Sequence, residues 1–215
     1  MSTRATPPGW QPENERDDLV EGKVPAEPFS LFEQWFETAI AAEMHEPSAM
    51  TLATANAQGR PSARIVLLKG YSPKGFDFYT NYKSHKGNDL AENPFAALVL
   101  WWDKLERQIR IEGRVERLPA ADSDAYFASR PRGGQLGAAA SHQSQPVADR
   151  ETLEAQMQTT QERFANTDVS RPGEWGGYRL IAERIEFWQG RRNRLHDRLL
   201  YQADGDSWQI QRLQP

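Results

Sequence analysis

The feature that most limits the fold is a succession of short apolar runs separated by turn signals, beginning at Met50. MTLATA (50–55), ARIVLLK (63–69) and FDFYTN (76–81) read as strands. Between them stand Ala57-Gln58-Gly59-Arg60 and Ser72-Pro73-Lys74-Gly75, both suited to hairpin turns. A short polar helix is expected around Lys86–Glu92. Two longer strands follow, FAALVLWW (95–102) and RQIRIEGRVERL (107–118), and three more are expected near 178–188, 198–203 and 207–213. Strands in short hairpins with only a few helices between them argue for an antiparallel barrel rather than a parallel sheet. The expected fold class is mainly β with flanking helices.

Helical spacing appears in fewer places. Leu31, Phe32, Trp35, Phe36, Ala39 and Ile40 form an apolar stripe, and Ser30 with Glu33 supplies a capping-box signature at its start. A helix over Asp124–Arg130 is expected to stop at Pro131, with Gly133-Gly134 forming a flexible loop. A further amphipathic helix is expected over 149–165 through Leu153, Met157 and Phe164. Residues 1–28, rich in Pro, charged and polar side chains, read as a mobile arm, and 29–215 as one domain.

Composition excludes several classes of function. The 215 residues carry a net charge of −4, which disfavours binding to nucleic acid or an anionic membrane. Any basic site must be local, which suits a small phosphorylated ligand. No cysteine is present, so thiolate catalysis, disulfides and zinc–sulfur sites are ruled out. His45, His85, His142 and His196 lack ligand-like spacing, so no metal site is expected. No apolar run approaches a membrane span, and the start lacks a signal-peptide core, so the expected location is cytoplasmic. Neither G-x-G-x-x-G after a strand nor a P-loop is found.

Cationic side chains nevertheless cluster. In EFWQGRRNRLHDR (186–198), Arg194, His196 and Arg198 alternate, with Trp188 of the same parity upstream. On a strand they would share one face at about 7 Å spacing. The plainer alternative is a solvated strand or turn whose arginines pair with Asp197 and neighbouring acids. Arg64 and Lys69, five apart, fall on opposite faces of a regular strand and are expected to serve different ligands or flank a bulge. Tyr79-Thr80 offers two hydroxyls, and Lys86 begins a helix whose free N–H groups favour anions. Tyr126 and Arg130 stand four apart on one helix face, where they can grip a single phosphate. Each also has a structural reading, as edge charge or core residue.

RIVLLKGY, FYTNYKSHKG, LERQIRIEGRVERL, YFASRPR, SHQS and IEFWQGRRNRLHDRLLY resemble, in order and spacing, the pyridoxine (pyridoxamine) 5′-phosphate oxidases, over roughly residues 29–215. The resemblance implies an antiparallel FMN-binding split β-barrel, homodimeric with FMN at the interface. It also implies oxidation of pyridoxine or pyridoxamine phosphate to pyridoxal phosphate by dioxygen. The family's flavin contacts fall on Arg64, Ile65, Val66, Leu67, Leu68, Lys69, Tyr79, Thr80, Lys86, Gln108, Gln143, Ser144, Trp188 and Arg198. Substrate-phosphate contacts fall on Lys69, Tyr126 and Arg130. Contacts to the substrate ring fall on Arg194 and His196, the expected catalytic pair: Arg194 to hold the ring, His196 to orient the reacting group or transfer a proton.

Three positions depart from the family pattern. His85 stands where an arginine is usual in the flavin-phosphate cluster, so FMN retention is expected to weaken as pH rises through its titration. Gly134 stands where a serine is usual. The first tyrosine is Tyr71, so the N-terminal Arg/Tyr lid of some relatives has no match, with Trp10 as the alternative. Two other functions compete: a nicotinamide-dependent split-barrel flavin reductase, and a protein that carries FMN or pyridoxal phosphate without turnover.

Overall fold

The computed structural model describes residues 19–215. Trp10 and most of the expected arm lie outside them. In chain order the elements are α1 (Pro28–Ala41), β1 (Ala49–Ala55), β2 (Pro61–Leu67), β3 (Gly70–Ser72), β4 (Gly75–Asn81), α2 (His85–Glu92), β5 (Phe95–Trp102), β6 (Arg107–Arg117), α3 (Ala120–Ser129), α4 (Arg132–Ala140), α5 (Arg150–Arg163), β7 (Trp175–Gln189), β8 (Asp197–Asp204) and β9 (Ser207–Arg212). Hydrogen-bonded strand neighbours follow the order β2-β1-β5-β6-β7-β4-β3, with β8 on β7 and β9 on β8. The expected class, an antiparallel sheet with flanking helices, is the one found. Among the described residues no helix is long and apolar enough to cross a membrane.

The described residues form two compact units, one of 48–97 with 112–182, the other of 19–47 with 98–111 and 183–215. In the first, β1 and β2 form a hairpin in which Ala49 faces Leu67 and Ala55 faces Pro61. Asn56 closes its turn by accepting hydrogen bonds from the Gln58 and Arg60 amides (3.1 and 3.0 Å), and Gly59 supplies the left-handed φ of 75°. Strand β4 pairs antiparallel with the start of β7, Phe78 opposite Tyr178 with rings stacked 5.6 Å apart. Beside it, Phe127, Leu136, Phe164, Val169 and Trp175 make a buried cluster that joins α3, α4 and the segment after α5.

In the second unit, α1 buries Leu31, Phe32, Trp35 and Ala39 of the stripe read from the sequence, and Phe29 besides; Phe36 is half-buried and Ile40, at the helix end, is exposed. Trp35 meets Phe187 edge-on at 5.3 Å, and Phe187 meets Tyr201 at 5.5 Å. Residues 19–27, the described part of the expected arm, have definite partners. Leu19 is buried, Glu21 pairs with Arg212 at 2.8 Å, and the Tyr201 hydroxyl donates to the Pro25 carbonyl at 2.8 Å.

Several local expectations are corrected. The N-cap of α1 is Glu27, whose carboxylate accepts from the Ser30 amide (3.1 Å); Pro28, with no N–H to satisfy, starts the helix three residues earlier than the Ser30–Glu33 box implied. Gly133 and Gly134 are no loop but the first turn of α4. Pro131 at φ −52° presets that helix, and the alanine-rich Leu136–Ala140 end, anchored by buried Leu136 and Ala140, carries it through the glycines. The 150–163 helix buries none of its residues: Leu153 is exposed, Met157 only borders the aromatic cluster, and Phe164 packs from just beyond the last turn.

Candidate active site

The strand run that supplies Arg64 also supplies the groups that aim it. Arg64 Nη1 donates to the Leu52 carbonyl (3.1 Å) and to Thr54 Oγ1 (2.8 Å), and Nη2 to Ser62 Oγ (2.5 Å). Both hydroxyls donate onward to one oxygen of Asp89, at 2.6 and 2.8 Å. Thr54, Ser62 and Arg64 meet because β1 and β2 pair in register; Asp89 comes from the buried face of α2. Burial pushes the Asp89 carboxyl up, but the hydrogen bonds from Thr54 and Ser62, with the charges of His85 and Arg64, outweigh it and hold the group below the usual carboxylate range. His85 Nε2 lies 3.6 Å from the other Asp89 oxygen and is itself largely exposed.

The helix α2 begins at a real cap: Ser84 Oγ accepts from the Gly87 amide at 3.3 Å. Lys86, only 7% exposed, donates to Thr80 Oγ1 (3.1 Å), Ser84 Oγ (3.2 Å) and Gln143 Oε1 (3.3 Å). None of these partners is charged. Burial, and then the nearby Arg64 charge, lower its pKa to about 8. Gln143 Oε1 also accepts from Thr80 Oγ1 (2.9 Å) and the Asn81 amide (3.3 Å), so this one side chain ties β4 to the segment after α4.

A second cationic group sits across an aromatic stack. The Tyr79 and Tyr126 rings lie 3.9 Å apart, nearly parallel, and Trp175 stacks at 5.5 Å from Tyr79. Burial, reinforced by Asp77, drives the Tyr79 hydroxyl up to about 12, so it is a neutral donor at working pH. Arg130 lies 4.8 Å over Trp175, and its buried Nη1 has no hydrogen-bond partner among the described residues.

These residues line one cavity of about 680 Å³. Arg64, Ile65, Val66 and Leu67 line it from β2, Lys69 from the link to β3, and Tyr79, Thr80 and Lys86 from β4 and α2. Tyr126, Arg130, Gln143 and Ser144 complete the set expected of this unit, except Leu68, whose side chain is buried. Arg64 and Lys69 thus reach the same cavity. Opposite faces would apply within one regular strand, and β2 ends at Leu67, so Lys69 lies past the point where alternation holds. Four cations, Arg64, Lys69, Lys86 and Arg130, line the space, and among the described residues no carboxylate does. Lys69 is exposed and Arg64 has Asp89 at 3.8 Å behind it, so the charge that most needs an anion from the cavity is that of buried Lys86, followed by that of half-buried Arg130.

Gln108, Trp188, Arg194, His196 and Arg198 belong to the other unit. There the expected cationic row does not lie on one strand. Arg194 ends a tight turn at φ 61°, His196 follows it, and only Arg198 is in β8. The left-handed Asn193 and Arg194 break the alternation that a strand requires. Arg198 is held by Glu186 through two bonds of 2.7 and 3.0 Å and donates to the Gln214 carbonyl at 2.9 Å. The His196 ring rests 4.5 Å from that of Trp188, and burial together with the Arg194 charge lowers its pKa. Sequence reasoning did not single out Thr54, Ser62, Asp89 or Trp175. Asp89 stands four after His85 on a helix, but a lone acid in a polar helix reads as solvated.

Residues 36–164 match the family description "Pyridoxamine 5'-phosphate oxidase", and 175–215 match "Pyridoxine 5'-phosphate oxidase C-terminal dimerisation region". A pyridoxine/pyridoxamine 5′-phosphate oxidase of Cyanothece sp. is 54% identical over 200 residues, 93% of this chain and 94% of that protein. One from Burkholderia lata is 56% identical over 203 residues, again 93% and 94%. The crystal structure of PhzG from Burkholderia lata in complex with tetrahydrophenazine-1-carboxylic acid superposes with a TM-score of 0.87 at 34% identity, covering 94% of this chain and 100% of that one. A pyridoxamine 5′-phosphate oxidase-related, FMN-binding protein of Nostoc punctiforme, at 14% identity and a TM-score of 0.71 over 89% of this chain and all of that one, shares the fold. With its split-barrel class of sheet and both family segments in order, the chain belongs to the pyridoxine/pyridoxamine 5′-phosphate oxidase family of enzymes.

Proposed function

We propose that the chain is an FMN-dependent oxidase that converts pyridoxine 5′-phosphate or pyridoxamine 5′-phosphate to pyridoxal 5′-phosphate. Dioxygen is the final acceptor, hydrogen peroxide is released, and the amine also yields ammonia. The observation that carries this reading is a lining with four cations and, among the described residues, no carboxylate: one cation is a lysine at about 8 and one an arginine whose buried nitrogen has no partner there. A phosphate dianion relieves both conditions. FMN and substrate bring one each, and the lining offers two groupings for them: Arg64 with Lys86 at the start of α2, and Lys69 with Tyr126 and Arg130.

The residues fit the cofactor in kind. Arg64, Lys86 and the first turn of α2 would hold its phosphate. Gln143, whose Oε1 is already engaged by Lys86, Thr80 and Asn81, keeps its NH2 group for an acceptor on the flavin ring. Bound FMN supplies the two-electron acceptor and returns the electrons to dioxygen. The protein's own part is to hold the substrate phosphate on Lys69, Tyr126 and Arg130, to exclude water with the Tyr79–Tyr126–Trp175 stack, and to bring Arg194 and His196 to the substrate ring. Gln108, Trp188 and Arg198 are assigned to the flavin, and the working form is a homodimer, as the match to the family's dimerisation region supports.

Anaerobic mixing of the FMN-loaded protein with pyridoxine 5′-phosphate tests the assignment. Bleaching of the flavin band, followed in air by peroxide and an aldehyde product in equal amounts, is the expected result. A flavin band that stays oxidised under anaerobic excess substrate refutes it. Bleaching by a reduced nicotinamide alone would favour the flavin-reductase alternative.

A further inference from the structure

Residues 190–197 adopt a conformation that their sequence does not favour. Asn193 and Arg194 both have left-handed φ, 59° and 61°. Asparagine tolerates that region but arginine rarely enters it, so the surroundings must hold Arg194 there. The restraints are three. Arg191 Nε pairs with Asp197 Oδ2 at 2.7 Å, across the mouth of the turn. The Leu195 amide donates to the Arg192 carbonyl at 3.2 Å inside it. The Arg191 amide donates to His196 Nδ1 at 3.0 Å. Asp197 is itself clamped from the other side, since its Oδ1 accepts from Arg212 Nη1 at 2.7 Å. Arg212 in turn holds Glu21 at 2.8 Å and the Leu19 carbonyl.

The third contact fixes a chemical state. An imidazole nitrogen that accepts from an amide has no proton, so in neutral His196 the proton sits on Nε2. Burial and the adjacent Arg194 both oppose the imidazolium. His196 therefore offers its free edge as an N–H donor and not as a base, while Trp188 packs against the ring.

We propose that Arg191 and Asp197 are positioning residues that lock His196 in its Nε2–H form and hold Arg194 in the left-handed turn, with Arg212 and Glu21 as the outer anchor. The proposal rests on the reading of His196 as a substrate-ring contact. It narrows that reading to the donation of a hydrogen bond toward an electron-rich atom of the substrate.

The direct test is long-range proton–nitrogen correlation on protein labelled with 15N-histidine, the His196 signals being identified by their loss in His196→Asn. The wild type should show the Nε2–H pattern. In Asp197→Ala and Asp197→Asn the pattern should move toward a mixture of tautomers. Turnover should then fall about 10–100-fold, the usual range for loss of a group that orients an active-site histidine. Flavin content and KM should stay within about twofold, and Asp197→Glu should recover part of the loss. An Nδ1–H or doubly protonated ring in the wild type overturns the proposal even if the variants fail to fold. So does an unchanged tautomer, or unchanged turnover, in Asp197→Ala. A wild type inactive toward pyridoxine 5′-phosphate would refute the oxidase assignment, while the nitrogen spectrum would still decide the positioning claim.

Discussion

Lys86 carries the sharpest consequence of burial. Its folded pKa of about 8 lies below that of a lysine in the unfolded chain, near 10.4. Between those values the unfolded chain binds more protons, so stability of the ligand-free protein rises with pH across this window; below pH 8 the full cost of the buried ammonium is present. A phosphate against Lys86 favours the ammonium, so binding takes up a proton above pH 8. The FMN dissociation constant, followed by fluorescence from pH 7 to 10, should climb above pH 8 by up to about tenfold per unit, and Lys86→Met should flatten that climb. His85, exposed and 3.6 Å from Asp89, lines the same cavity, where an arginine would carry a permanent charge. His85→Arg should therefore tighten FMN about two- to fivefold at pH 8, as expected of one added exposed charge; equal affinity would mean that His85 contributes nothing to the phosphate site. At Gly134 a Cβ would meet Arg130 Nη2 at 3.3 Å, the movable end of a long side chain. Gly134→Ser puts a hydroxyl beside that guanidinium within a helix. We expect KM for the phosphorylated substrate to fall about fivefold, the equivalent of one net hydrogen bond, with thermal stability equal or higher.

The elements that build the cavity were mostly legible, because strand alternation and turn chemistry are local. β1, β2 and β4–β6 lie within a few residues of where the pattern put them. The failures have specific causes. Proline presetting advanced α1 to Pro28 and let α4 run through two glycines, and a strand end at Leu67 brought Lys69 into the same cavity as Arg64. Helix α2 brings His85 and Lys86 to the cavity. It seats against Tyr82 so closely that a Cβ on Gly87 would lie 2.1 Å from the Tyr82 carbonyl oxygen, which is backbone and has nowhere to go. Gly87→Ala should therefore push the first turn away and misplace Lys86. The expected cost is about 1–3 kcal/mol, read as a drop in Tm of several degrees, with most of the bound flavin lost. A variant with normal flavin content would show that the α2 start is not part of the cofactor site.

For the whole molecule, the match of 175–215 to the family's dimerisation region predicts a particle of twice the chain mass in light scattering, whether or not FMN is bound. A monomer with full oxidase activity would remove the homodimer from the proposal. The sequence by itself determined the class of fold, since hairpin turns and alternating apolar runs act over a handful of residues. It also determined the stock of cations that line the cavity. The resemblance to a known family, carried over residue by residue, named most of that lining, from Arg64 to Ser144. Only the tertiary structure decided which cations lack a counter-charge. Arg198 looked like its neighbours in the sequence yet has Glu186 as a counter-charge, whereas Arg130 Nη1 has no hydrogen-bond partner among the described residues. It alone decided, too, that Asp89 and two hydroxyls aim Arg64, and that His196 sits in a left-handed turn instead of a strand. The pairing of Arg198 and the aiming of Arg64 depend on partners 12 to 35 residues away, which no local period encodes; the turn is held by pairs within six residues, but through side chains that no strand pattern describes.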